Sequence, residues 1–434
     1  MKYQNPVIVI PGITGTSLTD EYPINPEAIW STLLDKNFER LALHPDNLRY
    51  EAREPARVVR GQVFELIYGE LIGALRHDLS AKADEWTPVF AFPYDWRQPV
   101  EETAKQLTEF VGEVIERTRL LRHYLGWPLK RQSVDLVGHS MGGLVISEYL
   151  ARCQAASSDA RVRRVATLGT PHQGSVEAIV KLATGLASLG GETPSERERE
   201  TARSTPAIYQ LVATYAGAVV DVPAPGLYAA ANWQPGVVDS LAEYVRLRAV
   251  DPPPSKPGQR ARGRQLLQSM LDGMRALRER SANLDLTSVG LTADAWLSVV
   301  GVGAETRTSV SWRNTEDGPR FDFAKGVNKG VNTGDGTVPL QGALPPFLPA
   351  ESVVAVQPGD FDFFELKDLG LLEVAGFHAQ LPNLNLAQRL VLRHLRDDFR
   401  GSVWGRPIPG VSQAAWQPAI PRRSTASPTG IEAK

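Results

Sequence analysis

Val134-Asp-Leu-Val-Gly-His-Ser-Met-Gly-Gly-Leu-Val145 carries three local signals in one short stretch. Residues 134–137 are mostly apolar and read as a buried parallel strand. Gly138-His-Ser-Met-Gly142 follows directly, and residues 143–152 have the pattern of an amphipathic helix. Strand, G-x-S-x-G and helix in that order are the context of a nucleophile elbow. The turn is so sharp that a side chain at Gly138 or Gly142 would meet the adjoining strand or helix. The hydroxyl of Ser140 is thereby pushed out at the top of a sheet, where the helix N-terminus aims its free N–H groups.

Working toward the N-terminus, Pro6-Val-Ile-Val-Ile-Pro11 is a fully apolar, β-branched run of the kind found in a central strand. The glycine-punctuated loop Pro11-Gly-Ile-Thr-Gly-Thr-Ser-Leu18 follows it. In an elbow enzyme the loop after an early strand supplies one main-chain donor to the developing oxyanion, and the residue after the serine supplies another. Those donors are expected to be the backbone N–H groups of Ile13 and Met141. Residues 64–79 read as a helix with Leu66, Ile67, Leu71, Leu75 and Leu79 on one side. Residues 86–92 read as a strand running into Phe92-Pro-Tyr-Asp-Trp-Arg97. An Asp95–Arg97 pair with Tyr94 and Trp96 around it pins such a loop, and the same two aromatics are candidate substrate contacts at a strand's carboxyl end. Residues 101–125 form a long amphipathic helix with a solvated face.

Beyond the elbow, residues 162–168 are another strand, ending in Gly169-Thr-Pro-His-Gln-Gly-Ser175. His172 is expected in the loop or pocket wall, as a candidate substrate contact. Strand–helix alternation then breaks down between residues 176 and 292. A lid helix over 178–189, a charged exposed stretch over 192–203 and helices at 206–215, 238–247 and 265–280 are expected there. A flexible basic loop over 251–264 is expected among them. A helical insertion of this kind builds a cap over a site. Residues 295–302 and 352–356 return to strands, and 384–395 to a helix in which His394, between Arg393 and Arg396, is expected at the surface. The resulting organisation is an α/β core over residues 1–175 and 293–400, a mostly parallel sheet with helices on both faces, interrupted by a cap at 176–292. Residues 401–434 are expected to be a poorly ordered tail.

Acyl transfer from a serine needs a base to take its proton and an acid to orient that base. With this elbow the chain order is Ser, then Asp or Glu, then His. Of seven histidines, His44, His77 and His123 precede the serine, His139 adjoins it, and His172 comes before the insertion. His378 sits between the last strand and the last helix. Asp335, between two glycines in Asn332-Thr-Gly-Asp-Gly-Thr-Val-Pro-Leu340, follows a late strand, whereas Asp294, Asp360 and Asp362 are misplaced. Order and elimination give Ser140, Asp335 and His378.

These blocks together resemble the lecithin:cholesterol acyltransferase-like group of α/β-hydrolases, in its bacterial form. The resemblance rests on Pro11–Leu18, Pro93-Tyr-Asp-Trp-Arg97, Gly138–Gly142, Gly169-Thr-Pro171, Gly334-Asp-Gly-Thr-Val-Pro339 and Phe377-His378, with a weaker match at Ser204-Thr-Pro-Ala-Ile-Tyr-Gln-Leu211. It implies attack of Ser140 on a lipid ester, an acyl-enzyme, and passage of the acyl group to water or an alcohol, with no metal or other cofactor. Position by position it implies the same triad and the same two oxyanion residues. The animal members are secreted and disulfide-bonded, so the single Cys153 puts their lipoprotein substrates in doubt here.

The totals set outer limits. At 434 residues with 42% hydrophobic and 22% charged content, the chain has an ordinary globular composition. A formal net charge of −2 gives no reason to expect nucleic acid as a partner. Cys153 reads as a small core thiol. A strand within the first dozen residues leaves no room for a signal peptide, and no apolar run of about 18 residues suggests a membrane span. A cytoplasmic location is expected, with export by a signal-independent route left open, and contact with a membrane surface through the cap. Two other functions compete with the lipid enzyme: an esterase or thioesterase for small soluble substrates, and an interaction protein on a hydrolase scaffold.

Overall fold

The computed structural model describes residues 3–22, 25–31, 37–53, 55–128, 132–185, 195–324, 326–361, 376–396 and 405–420. Its centre is a sheet of β1 (Val7–Ile10), β2 (Val89–Ala91), β3 (Val134–His139), β4 (Val162–Leu168), β5 (Trp296–Gly301) and β6 (Val354–Val356). Their spatial order is β6-β5-β4-β3-β1-β2, and every pairing is parallel. Parallel strands need crossover helices, which cover both faces. The alternation of β1 makes this visible. Ile8 and Ile10 join one core cluster with α2 (Val100–Arg119) and α3 (Met141–Ala155). Val7 and Val9 join another with α1 (Glu65–Asp78) and, near the C-terminus, Asn385–Arg396. All four side chains are wholly buried, and each such burial stabilises by about 1.5–3 kcal/mol.

From β1 the chain steps outward to β2, then returns past β1 to β3 and continues away from it. The strand order therefore reverses between β1 and β3, and ligands in open α/β sheets bind at the carboxyl ends of strands flanking such a reversal. The register pairs Ile10 with Gly138 and His139 with Leu168. That alignment places the Gly12–Ile13 loop beside Ser140 on one side and Gly169 on the other.

Between β4 and β5 lie α4 (Val176–Thr184), α5 (Glu196–Ser204), α6 (Pro206–Gln210), α7 (Pro235–Arg248) and α8 (Lys256–Ala282). Their apolar faces form a cluster of their own around Tyr209, Trp233, Leu267 and Met274. Residues 186–189 of the expected lid helix, and 192–194 of the expected exposed stretch, lie outside the described residues. The last helix, Asn385–Arg396, is α9.

Several sequence expectations are corrected. In α1 the buried residues are Tyr68, Leu71 and Leu75, while Leu66 is exposed. β2 is confined to Val89–Ala91, and Trp86 is solvent-facing. The expected basic loop is shorter, because α8 already begins at Lys256. Ser255 caps it by accepting the Gly258 N–H, and a proline stands in its first turn. α5 is not simply exposed, since Arg203 is buried and donates to the carbonyls of Leu182 and Ala183.

His394 is fully buried rather than at the surface. Its ring nitrogens meet the Ala419 carbonyl at 2.6 Å and the Ala295 carbonyl at 3.2 Å. The expected tail is likewise structured over residues 405–420. Arg406 bridges Ala355 in β6, and the buried Trp416 donates its indole N–H to the Val353 carbonyl at 2.9 Å. An aromatic anchor and edge pairing here outweigh a composition that reads as disordered. Residues 401–404 and 421–434 lie outside the described residues.

Candidate active site

The elbow forms because β3 must turn into α3 within one residue. Ser140 takes φ 53° and ψ −126°, a sparsely populated region for a residue with a Cβ. A Cβ at Gly142 would collide with the carbonyl oxygen of Ile10, and one at Gly138 would lie 2.8 Å from the Gly143 nitrogen. Ser140 N–H donates to the Leu168 carbonyl at 2.9 Å, which ties the turn to β4.

Around this serine the chain brings together residues from three distant segments. His378 Nε2 lies 2.9 Å from Ser140 Oγ, and His378 Nδ1 lies 2.6 Å from Asp335 Oδ2. The other Asp335 oxygen accepts the backbone N–H of Thr337 at 3.0 Å and of Val338 at 2.6 Å. Asp335 is therefore fixed at both oxygens. With its Nδ1–H directed at the carboxylate, His378 presents the Nε2 lone pair to the serine hydroxyl. Asp335, Ser140 and His378 are 1%, 6% and 9% exposed, so the hydrogen bonds are sheltered from water.

Met141 begins α3 and is buried, and Ile13 is half-buried between the core and the helical insertion. Among the described residues their main-chain N–H groups meet no protein acceptor, as expected of donors left for a ligand. The Ile13 loop is held from outside. Tyr94 donates its hydroxyl to the Pro11 carbonyl at 2.8 Å, Trp96 its indole N–H to the Thr16 carbonyl at 3.2 Å, and Trp30 its own to the Thr14 carbonyl at 3.0 Å. Both Tyr94 and Trp96 are buried.

Arg97 anchors that cluster, donating to Asp95 through two nitrogens at 2.9 and 2.8 Å and to Glu51 at 2.9 Å. Burial alone would raise the Asp95 pKa, but the adjacent guanidinium outweighs it and holds the carboxyl below its ordinary value.

His172 stands in the loop after β4. Its ring is buried edge-on against Phe347, with centroids 5.6 Å apart, and neither ring nitrogen has a hydrogen-bond partner. Burial and nearby Arg278 push its pKa down to about 3. Arg278, in α8, donates to the carbonyls of His172, Gln210 and Val212 at 3.0, 2.8 and 3.3 Å. It thereby ties the insertion to the loop after β4. A cleft of about 310 Å³ lies between the insertion and the start of α2, lined by Pro99, Glu101, Gln210, Met270 and Gly273. Ser140 is not part of that lining.

Tyr68 and the contacts of His139, both close to the triad, escaped the sequence reading. Tyr68 accepts the Gly12 N–H at 2.8 Å and sits 2.8 Å from His139 Nδ1, whose Nε2 is 2.9 Å from the His378 carbonyl. Tyr68 is 71 residues from His139, and a tyrosine on an apolar helix face gives no sign of such a role. Among the described residues, no group of three or more His, Cys, Asp and Glu comes together to hold a metal.

The sequence matches the family model of lecithin:cholesterol acyltransferase over residues 83–222. That segment holds the Tyr94–Arg97 cluster, the elbow, the loop after β4 and part of the insertion, while Asp335 and His378 lie outside it. No curated protein matches the sequence. Among solved structures, the fold is similar to a chain in "The crystal structure of Tle4-Tli4 complex", with a TM-score of 0.58 at 14% identity over 89% of this chain and 97% of that one. At that identity the likeness speaks for the fold alone. The resemblance read from the sequence is thus borne out: over residues 83–222 the chain matches the lecithin:cholesterol acyltransferase family, and its architecture is that of an α/β-hydrolase.

Proposed function

We propose that this chain is a serine hydrolase or acyltransferase acting on lipid acyl esters through an acyl-enzyme on Ser140. The observation that carries the reading is the continuous hydrogen-bonded line Ser140–His378–Asp335, at 2.9 and 2.6 Å. His378 Nε2 takes the Ser140 proton as Oγ attacks the ester carbonyl, and Asp335 stabilises the imidazolium. The main-chain N–H groups of Ile13 and Met141 receive the oxyanion. His378 then returns the proton to the departing alcohol, and water or a second alcohol releases the acyl group by the reverse steps. Tyr94 and Trp96 serve as positioning residues for the Ile13 loop, and His172 as part of the wall.

In this reading residues 176–292 are a cap over the site. The family match supports acyl-ester chemistry in general. No described helix is long and apolar enough to cross a membrane; in this reading lipid is reached by surface contact through the cap. Labelling with a fluorophosphonate probe tests the nucleophile. Wild type should incorporate one probe at Ser140, and neither Ser140→Ala nor His378→Ala should be labelled at a comparable rate. Equal labelling of the His378→Ala protein refutes the assignment.

A further inference from the structure

The loop bearing Ile13 and the base His378 come from opposite ends of the chain, yet one side-chain path joins them. Gly12 N–H donates to the Tyr68 hydroxyl at 2.8 Å, that hydroxyl lies 2.8 Å from His139 Nδ1, and His139 Nε2 lies 2.9 Å from the carbonyl of His378. The direction of each bond is settled by chemistry. A carbonyl only accepts, so His139 carries its proton on Nε2. Its Nδ1 is then a lone pair, which the Tyr68 hydroxyl must donate to, leaving the phenolic oxygen free to accept from Gly12. Every group in the path has its partner, and both side chains are buried. Burial and the neighbouring His378 also push the His139 pKa down to about 3, so the neutral tautomer persists through the working range of pH.

We propose that Tyr68 and His139 form a positioning relay that sets the distance between the oxyanion loop and the catalytic histidine. The proposal rests on the Ser140–His378–Asp335 reading above. Neither residue touches substrate. Their effect is to hold Gly12, and so the adjoining Ile13 N–H, in register with the backbone of His378. A donor displaced from the oxyanion is worth little in the ground state and much in the transition state, so the relay acts on turnover rather than on substrate binding.

Tyr68→Phe removes the hydroxyl and keeps the ring that packs in the core. Measured on the full chain, with active sites counted by fluorophosphonate titration, it should lower kcat by about tenfold and leave KM within about twofold. His139→Phe should do the same. The double variant should be no slower than the slower single one, because both cut one path. Factors that multiply toward about a hundredfold, or a rise in KM at constant kcat, would overturn the relay.

A second measurement needs no turnover. In ¹⁵N-histidine NMR of wild type, His139 should be the Nε2–H tautomer and should not titrate between pH 8 and 5; Tyr68→Phe should shift its Nδ1 resonance. An Nδ1–H tautomer, or titration in that range, overturns the proposal even if Ser140-dependent turnover is found. Conversely, a wild type inactive on every ester defeats the functional reading, while the relay's geometry still stands or falls on the NMR result.

Discussion

Replacing Asp335 by Asn tests what that carboxylate does, because the structure dictates which way the amide must face. One Asp335 oxygen accepts two backbone N–H groups, from Thr337 and Val338, and the other accepts His378 Nδ1–H. Asn offers one acceptor and one donor end of nearly the same shape. Turning the NH2 toward Thr337 and Val338 would leave buried backbone donors facing a donor, at a cost of about 1–3 kcal/mol for each unsatisfied group. The amide oxygen therefore stays with those two N–H groups, and the NH2 faces His378.

His378 must then offer a lone pair at Nδ1 and carry its proton on Nε2, against Ser140 Oγ. A base protonated on that nitrogen cannot accept the serine proton. The wrong-tautomer effect in serine protease triads is about 10⁴-fold, equivalent to about 5 kcal/mol of transition-state stabilisation. The assay is kcat/KM on a chromogenic ester, with thermal unfolding run in parallel. The Asn protein should melt close to wild type and retain a small residual rate. A rate within tenfold of wild type would refute the orienting role of Asp335.

Stability should fall with acid. His139 and His172 have folded pKa values lowered to about 3, against about 6.5 when unfolded. Between those values the unfolded chain binds more protons, so stability is full above about pH 6.5 and is lost as pH drops toward the folded value. With the buried His394, whose pKa is likewise lowered to about 3, they remove about 4 kcal/mol between pH 8 and 5.5; chemical denaturation showing equal stability at both pH values contradicts the neutral buried state. Gly142→Ala should cost about 3 kcal/mol or more in urea unfolding, since the new methyl group collides with the Ile10 carbonyl of a central strand; a near-neutral effect would mean that the turn relaxes. Ser140→Gly should unfold about 1 kcal/mol later than Ser140→Ala, because both lose the hydroxyl while glycine accepts φ 53° without strain; an Ala protein of equal or greater stability would show the turn to be unstrained.

Much of the site was legible because its signals are local. Strand, G-x-S-x-G and helix are contiguous, and chain order with elimination isolates His378 and Asp335, which the structure brings within hydrogen-bonding distance of one line. The apolar runs at 7–10 and 134–137 read as strands from sequence, whereas their adjacency in the sheet, which puts the Ile13 loop next to the serine, depends on pairing between distant segments. What was not legible depends on contacts between distant residues. Charged neighbours made His394 look like a surface residue, yet the segment around Trp416 and Ala419 covers it. Tyr68 carries no local signal, and only its distances to Gly12 and His139 give it a role. The start of α8 could have been read. Ser255 as cap and Pro257 in the first turn are the signals, but the preceding prolines made the whole stretch look like a loop.

The central claim is serine-dependent transfer of a lipid acyl group, and product analysis by mass spectrometry tests it most directly. Wild type and Ser140→Ala would each be incubated with mixed phospholipids and neutral esters, with and without a long-chain alcohol. The account predicts free fatty acid, or new esters of the added alcohol, from wild type alone. Equal product from the Ser140→Ala protein, or none from either, would contradict it.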